Sequence, residues 1–252
     1  MNAFLKANIN RRMTDGFAVG YNMVFPIILV GILGVLTKRS LNLEISSFQY
    51  YTIVMIPYCL LLSLVTAAYS GKEEAGHKVA ERILASPIEI RTIVCSKVIS
   101  NLLSFFLCTF LTYCMLAAFL HIGGFGTLPL LLLFYLSLSL LTSVLGTYIG
   151  LSMRNFLVVK NLISIPITLF ALLGGTFYPI RTSNGLLMHL IEYSPVRLVN
   201  RGLFLLLYDH RIWPIVMISL VMILISVFMY VLTIRTFKKE EYLHGSMAGY
   251  EM

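Results

Sequence analysis

The sequence predicts an all-α membrane protein of six transmembrane helices, and two observations carry that prediction. Of 252 residues, 58% are hydrophobic and only 12% are charged, about half the charged share of an ordinary soluble domain. Residues 98–153, between Lys97 and Arg154, run for 56 positions without an Asp, Glu, Lys or Arg. No water-facing surface can be built from such a run. Where apolar stretches of about 18 residues or more recur along a chain, the bilayer is the solvent to expect.

The six spans fall at Phe17–Leu36, Phe48–Tyr69, Val98–Leu120, Leu128–Met153, Asn161–Tyr178 and Ile212–Ile234. At about 1.5 Å per residue each suffices for a hydrocarbon core of about 30 Å. The uncharged run divides in two because Gly123, Gly124, Gly126 and Pro129 place a turn in its middle, giving a hairpin with almost no external loop. The first span is too long for a signal-peptide core and lacks a small-x-small cleavage site, so it is expected to stay as a helix. With the N-terminus in the cytoplasm, the inner segments hold thirteen Lys and Arg and the outer ones six, so both termini are expected inside. The net charge of +8 is then mostly this bias, and nucleic acid is not an expected partner. Cys59, Cys95, Cys108 and Cys114 form no C-x-x-C pair, so no metal or disulfide framework is expected.

The chain reads as one transmembrane domain, 1–252, with four patterned segments outside the spans. Residues 1–16 form an interfacial helix, with Phe4, Leu5, Ile9 and Met13 opposite Lys6, Asn8, Arg11 and Arg12. In the cytoplasmic segment 71–97, Val79, Ala80, Ile83 and Leu84 oppose His77, Lys78, Glu81 and Arg82, a short amphipathic helix. A second helix is expected to start at Ser86-Pro87, with Ser86 as N-cap, Pro87 at the first position and Glu89 at the third. Such a helix-break-helix anchored to two spans suits either a solvated surface loop or a docking element for a cytoplasmic partner. In the external segment 179–211, two short apolar stripes (Leu186 to Ile191, and Val196 to Leu207) flank Pro195 and are too short to span. Residues 235–252 are a polar cytoplasmic tail.

No catalytic constellation is present. H-E-x-x-H, G-x-S-x-G, D-x-D and Walker A patterns are missing, so ATP is not bound by a phosphate loop here. Glu73-Glu74 before Lys78 approaches the E-E-x-x-x-R motif of membrane CAAX proteases, but the arginine is absent and the histidines lack the required neighbours. No acidic or basic residue is expected deep in a span, which argues against a proton- or sodium-coupled carrier. Polar candidates within spans are Asn22 and the group Ser137, Ser139, Thr142 and Ser143. Small residues four apart (Gly16 and Gly20; Ser139 and Ser143; Thr142, Gly146 and Gly150) are expected to serve helix packing within the chain.

Taken together these features resemble the permease subunit of the type 2 ATP-binding-cassette (ABC-2) exporters, along nearly the whole chain. Two stretches carry the resemblance: Glu74, Gly76, Leu84, Ser86, Pro87, Ile88 and Lys97 in the cytoplasmic loop, and LGGTFYPI, Leu173 to Ile180, at the end of the fifth span. The loop departs from the family pattern in having only Lys72 where an Arg-rich stretch is common. Large extracellular domains are missing, as is the tryptophan-rich entry of polysaccharide exporters, since Trp213 is the one tryptophan.

The resemblance implies a coupling helix between spans two and three, with Glu74, Gly76, Glu81, Leu84, Ser86, Pro87 and Ile88 at the contact with a cytoplasmic ATPase. It implies external re-entrant helices marked by Gly174, Gly175, Pro179, Pro195 and Arg201. A second permease chain, identical or related, is implied across a substrate path lined by Asn22, Phe25 and Phe177. No cofactor is expected on this chain; ATP and magnesium belong to the ATPase. The expected function is export of a drug, antimicrobial peptide or lipid-like compound across a bacterial cell membrane, in antibiotic resistance or self-protection. Glycan or glycolipid export, a non-transport scaffold and an intramembrane protease are the alternatives.

Overall fold

The computed structural model describes residues 2–38, 45–76, 79–86, 88–153, 156–178, 191–237 and 242. Every regular element among them is helical: α1 (Asn2–Thr14), α2 (Gly16–Leu36), α3 (Ser47–Leu62), α4 (Leu64–Gly76), α5 (Val79–Ala85), α6 (Ile90–Leu120), α7 (Leu128–Ser152), α8 (Phe156–Leu173), α9 (Pro195–Leu207) and α10 (Trp213–Arg235), with a 3-10 turn at Phe125–Thr127. Five stretches are long and apolar enough to cross a membrane: Gly16–Leu36, Ser47–Lys72, Ile90–Leu120, Leu128–Ser152 and Trp213–Arg235. The remaining expected span is a shorter apolar helix over Asn161–Leu173. It ends at Leu173, and residues 174–178 turn away, so the helix does not reach Tyr178 as the hydropathy suggests.

The helices begin and end where local chemistry says. The Asp15 carboxylate caps α2 by accepting from the Phe17 and Ala18 amides at 3.0 and 3.2 Å, satisfying donors that a helix start leaves open. The α6–α7 hairpin is as short as predicted. His121 closes α6 in the left-handed region (φ 54°), Gly123 follows at φ 73°, and α7 starts with proline in its first turn. Gly123 is needed there, because a Cβ at that φ would be strained and would stand 3.0 Å from Leu207 Cδ2.

Burial sorts the helices. In Ser47–Lys72, 83% of the apolar window is inside the bundle, against 22% for α2 and α10. The α3–α4 pair is therefore the core, while the two outer helices show Val24, Ile28, Ile32, Leu224 and Phe228 to the surroundings, as lipid contact requires. The helix α7 packs along α4, α6 and α10, and α2 lies on α3 and α6.

Within the Thr142, Gly146, Gly150 ladder the expected internal packing is present. A Cβ on Gly146 would stand 2.6 Å from Leu64 O, and one on Gly150 2.4 Å from Ala68 O. The other glycine pair does not fit that expectation: Cβ atoms on Gly16 and Gly20 would meet nothing within 4 Å, so this pair faces away from the described helices.

Two local expectations are corrected. The helix α6 starts at Ile90 with Glu89 as its N-cap, not at Pro87. The Ser86 hydroxyl donates instead to Ile83 O at 2.6 Å, closing α5, so it is unavailable to cap the next helix; Pro87 itself lies outside the described residues. The α1 helix forms where expected but is turned differently. Arg12 is buried and Met13 exposed, because Asn8 and Arg12 find polar and aromatic partners on or beside α6.

Candidate functional site: a buried polar junction, a docked short helix and an aromatic surface

At one end of the bundle α1, α4 and α6 meet in a polar junction. Lys97, 3% exposed, donates from Nζ to Ser70 O at 2.6 Å, and Asn101 Nδ2 donates to Ser70 Oγ at 2.9 Å. Asn8 Nδ2 reaches Ser96 Oγ at 3.1 Å. The Arg12 guanidinium pairs with Asp15 at 3.0 Å and lies 5.5 Å from the Phe105 ring centre, a cation–π arrangement. Lys72 is also buried, at 1% exposure.

Lys72 and Lys97 lie near the ends of the helices that cross, not deep within them, yet both are buried. The helices α4 and α6 continue beyond the apolar windows, so Lys72 and Lys97 fall inside them. Hydropathy alone marks such residues as the ends of spans. Replacing Lys97 with methionine keeps the stem and removes the bond to Ser70. We expect a loss of about 2 kcal/mol, in the range for a hydrogen bond to a charged group, read as a lower thermal midpoint in detergent. An unchanged midpoint would mean the junction does not fasten α4 to α6.

The short helix α5 is held against this end. Its Ala80 and Ile83 are buried in a cluster with Ile93, Val94 and Val98 of α6, Val144 and Leu151 of α7, and Tyr242. Leu84 and Ile88 pack half-buried on the same cluster. Glu81 and Arg82 point outward and are exposed, as is Val79, which the helical pattern had assigned to the apolar face. Glu74 and Gly76 fall in the last turn of α4; the Glu74 side chain, like Pro87, His77 and Lys78, lies outside the described residues.

The three residues expected to line a path come together only in part. Asn22 is 3% exposed; its Nδ2 donates to Ala18 O at 2.7 Å and its Oδ1 accepts from Ser63 Oγ. It therefore ties α2 to the α3–α4 joint and faces no open space within the chain. Phe25 and Phe177 are half-buried on one cluster with Tyr51, Tyr58 and Cys59. Phe17, Tyr21 and Phe25 stack in succession along α2, with centroids 6.2 and 5.1 Å apart, and Phe177 meets Tyr58 edge-on at 5.2 Å. The result is an aromatic surface between α2 and α8, floored by α3.

The turn after α8 is pinned from two sides. Tyr50 donates to Gly175 O at 2.5 Å and Tyr51 to Phe177 O at 2.9 Å. Asn200 Nδ2 contacts Gly174 O at 3.3 Å and Thr176 Oγ1 at 3.2 Å. Gly174 allows α9 to approach, since a Cβ there would stand 3.0 Å from Arg197 N. Pro195 begins α9, Arg201 is exposed, and Ile191 is buried, while Pro179 and the rest of the first short stripe, 186–190, lie outside the described residues. Asn200, Tyr50 and Tyr51 were not singled out by the sequence, because polar tips on an apolar helix carry no spacing signal of their own.

A family model described as ABC-2 family transporter protein matches residues 35–235, from the end of α2 through α10. Comparison with curated proteins finds no match.

Proposed function

Because the chain belongs to the ABC-2 family of transporter proteins, we propose that it is the permease subunit of an ATP-driven exporter. It supplies the substrate path, while ATP and magnesium sit on a separate cytoplasmic ATPase. On this reading α8 is the fifth of six spans, both termini are cytoplasmic, and the protein is multi-pass in a bacterial cell membrane. The excess of basic residues in the segments then inside supports that orientation.

The helix α5 is the coupling helix. What carries the reading is its seat: Ala80 and Ile83 are clamped on α6 and α7 while Glu81 and Arg82 face out. A push on the outer face would reach two long helices directly, which a loose loop could not transmit. A second permease chain would complete the aromatic surface of α2 and α8, and Phe25 and Phe177 would lie beside the path, with Asn22 behind them as a helix tie. The aromatic, uncharged lining suits a drug or lipid-like compound, hence a role in resistance or self-protection. Co-expression with a candidate cytoplasmic ATPase is the test. A complex that hydrolyses ATP only when this chain is present is expected, and a chain that purifies without any nucleotide-binding partner would refute the assignment.

A further inference from the structure

A cavity of about 390 Å³ opens where α6 turns into α7, at the bundle end opposite the buried cations. Its walls include Tyr113, Ala117, Ala118, Ile122, Leu128 and Leu131. Two successive alanines of α6, Ala117 and Ala118, stand on the cavity wall. None of the residues lining it is Asp, Glu, Lys or Arg, and His121, the one lining residue that can carry a positive charge, is exposed, so a phosphate or carboxylate would find no buried counter-charge. The volume falls in the range of small-molecule sites, which are mostly apolar with a few placed polar groups.

The Thr127 hydroxyl on the wall already donates to Gly124 O, whereas that of Tyr113 is open. Tyr113 is 2% exposed and its hydroxyl meets no hydrogen-bond partner among the described residues. That hydroxyl lies at the Gly123 wall of the cavity, 3.8 Å from where a Cβ on Gly123 would stand. A buried hydroxyl without a partner is costly, and native structures rarely leave one so. A second cavity, about 250 Å³, adjoins across Gly124 and Thr127.

We propose that this cavity binds a neutral amphiphile. Its hydroxyl or ester oxygen bonds to the Tyr113 hydroxyl, which can both donate and accept, and its hydrocarbon packs on Ala117, Ala118, Ile122, Leu128 and Leu131. The site lies away from the α2–α8 surface and does not depend on the transport reading.

The test uses the full-length protein in detergent with decanol bearing a diazirine on its tail. Illumination should saturably label the cavity walls, Tyr113, Ala117, Ala118, Ile122, Leu128 and Leu131. Excess decanol should compete and decyl phosphate should not. Ala118→Phe fills the cavity and should abolish the labelling. Tyr113→Phe keeps the ring and should weaken binding about tenfold, the worth of one hydrogen bond, without lowering the thermal midpoint. Labelling that never saturates and spreads over outward positions such as Leu111, Met115 and Phe119 would overturn the proposal. So would labelling indifferent to both variants. Solvent extraction of the untreated protein separates two sources, each of which supports the site. A stoichiometric neutral lipid lost in Ala118→Phe identifies a membrane lipid; none, with saturable labelling intact, identifies a free compound.

Discussion

Gly150→Ala is expected to destabilise the protein by about 2–3 kcal/mol, in the range for overpacking a tight contact. The added Cβ would stand 2.4 Å from Ala68 O and 2.9 Å from Gly71 Cα. Both are backbone atoms, so no side chain can rotate away, and relief requires α4 and α7 to move apart. In lipid that separation is serious, because close packing rather than the hydrophobic effect holds helices together. Gly71 is the reciprocal contact, its own Cβ position lying 2.8 Å from Gly150 Cα, so Gly71→Ala should act alike. Gly20→Ala, which meets nothing within 4 Å, should leave the thermal midpoint in detergent unchanged or slightly raised through better helix propensity. Equal midpoints for Gly150→Ala and Gly20→Ala would show that the α4–α7 contact is looser than the structure has it.

The same pair of positions shows how far a sequence pattern reaches. Gly16 and Gly20 have the same four-residue spacing as Gly146 and Gly150, and spacing establishes only that two residues share a helix face. What the face meets is a tertiary fact. One pair meets α4 backbone and the other faces outward, and nothing in either local sequence separates them. The spans were legible for the opposite reason: a bilayer responds to average apolarity over about 18 residues, a quantity that needs no partner. The fifth was overrun at its end, since Gly174 and Gly175 lie in an apolar context yet turn the chain, with Gly175 at φ 77°.

The loop between α4 and α6 was legible as helix-break-helix but not in its capping. Ser86 had two possible helices to serve, and its bond to Ile83 O decided in favour of the one it ends. The buried cations were illegible to hydropathy because Lys72 and Lys97 look like the inner margin of two spans. Lys97 is covered by α1, whose Asn8, Arg12 and Asp15 gather beside it and Ser70. Residues 1–34, which include α1, lie outside the family match.

Glu81→Arg is expected to abolish coupling while leaving the subunit folded. Glu81 is exposed on α5 and belongs to none of the buried clusters, so the substitution should shift stability by no more than about 0.5 kcal/mol, as surface changes usually do. If α5 docks in an ATPase groove, reversing a charge at that contact sets like charges together at a cost of several kcal/mol, which corresponds to a loss of about a hundredfold or more in affinity or coupled rate. The measurement is permease-dependent ATP hydrolysis and export in vesicles, with the thermal midpoint as the folding control. Leu84→Asp should also uncouple, but Leu84 packs half-buried on the cluster beneath, so its loss of function would be mixed with loss of stability. Arg82→Glu supplies the sign. If the groove is basic where it meets Glu81, Arg82→Glu should be tolerated, and reversing the groove charge should restore Glu81→Arg. Export and hydrolysis unchanged in Glu81→Arg would take α5 out of the coupling path, whatever the family of the chain.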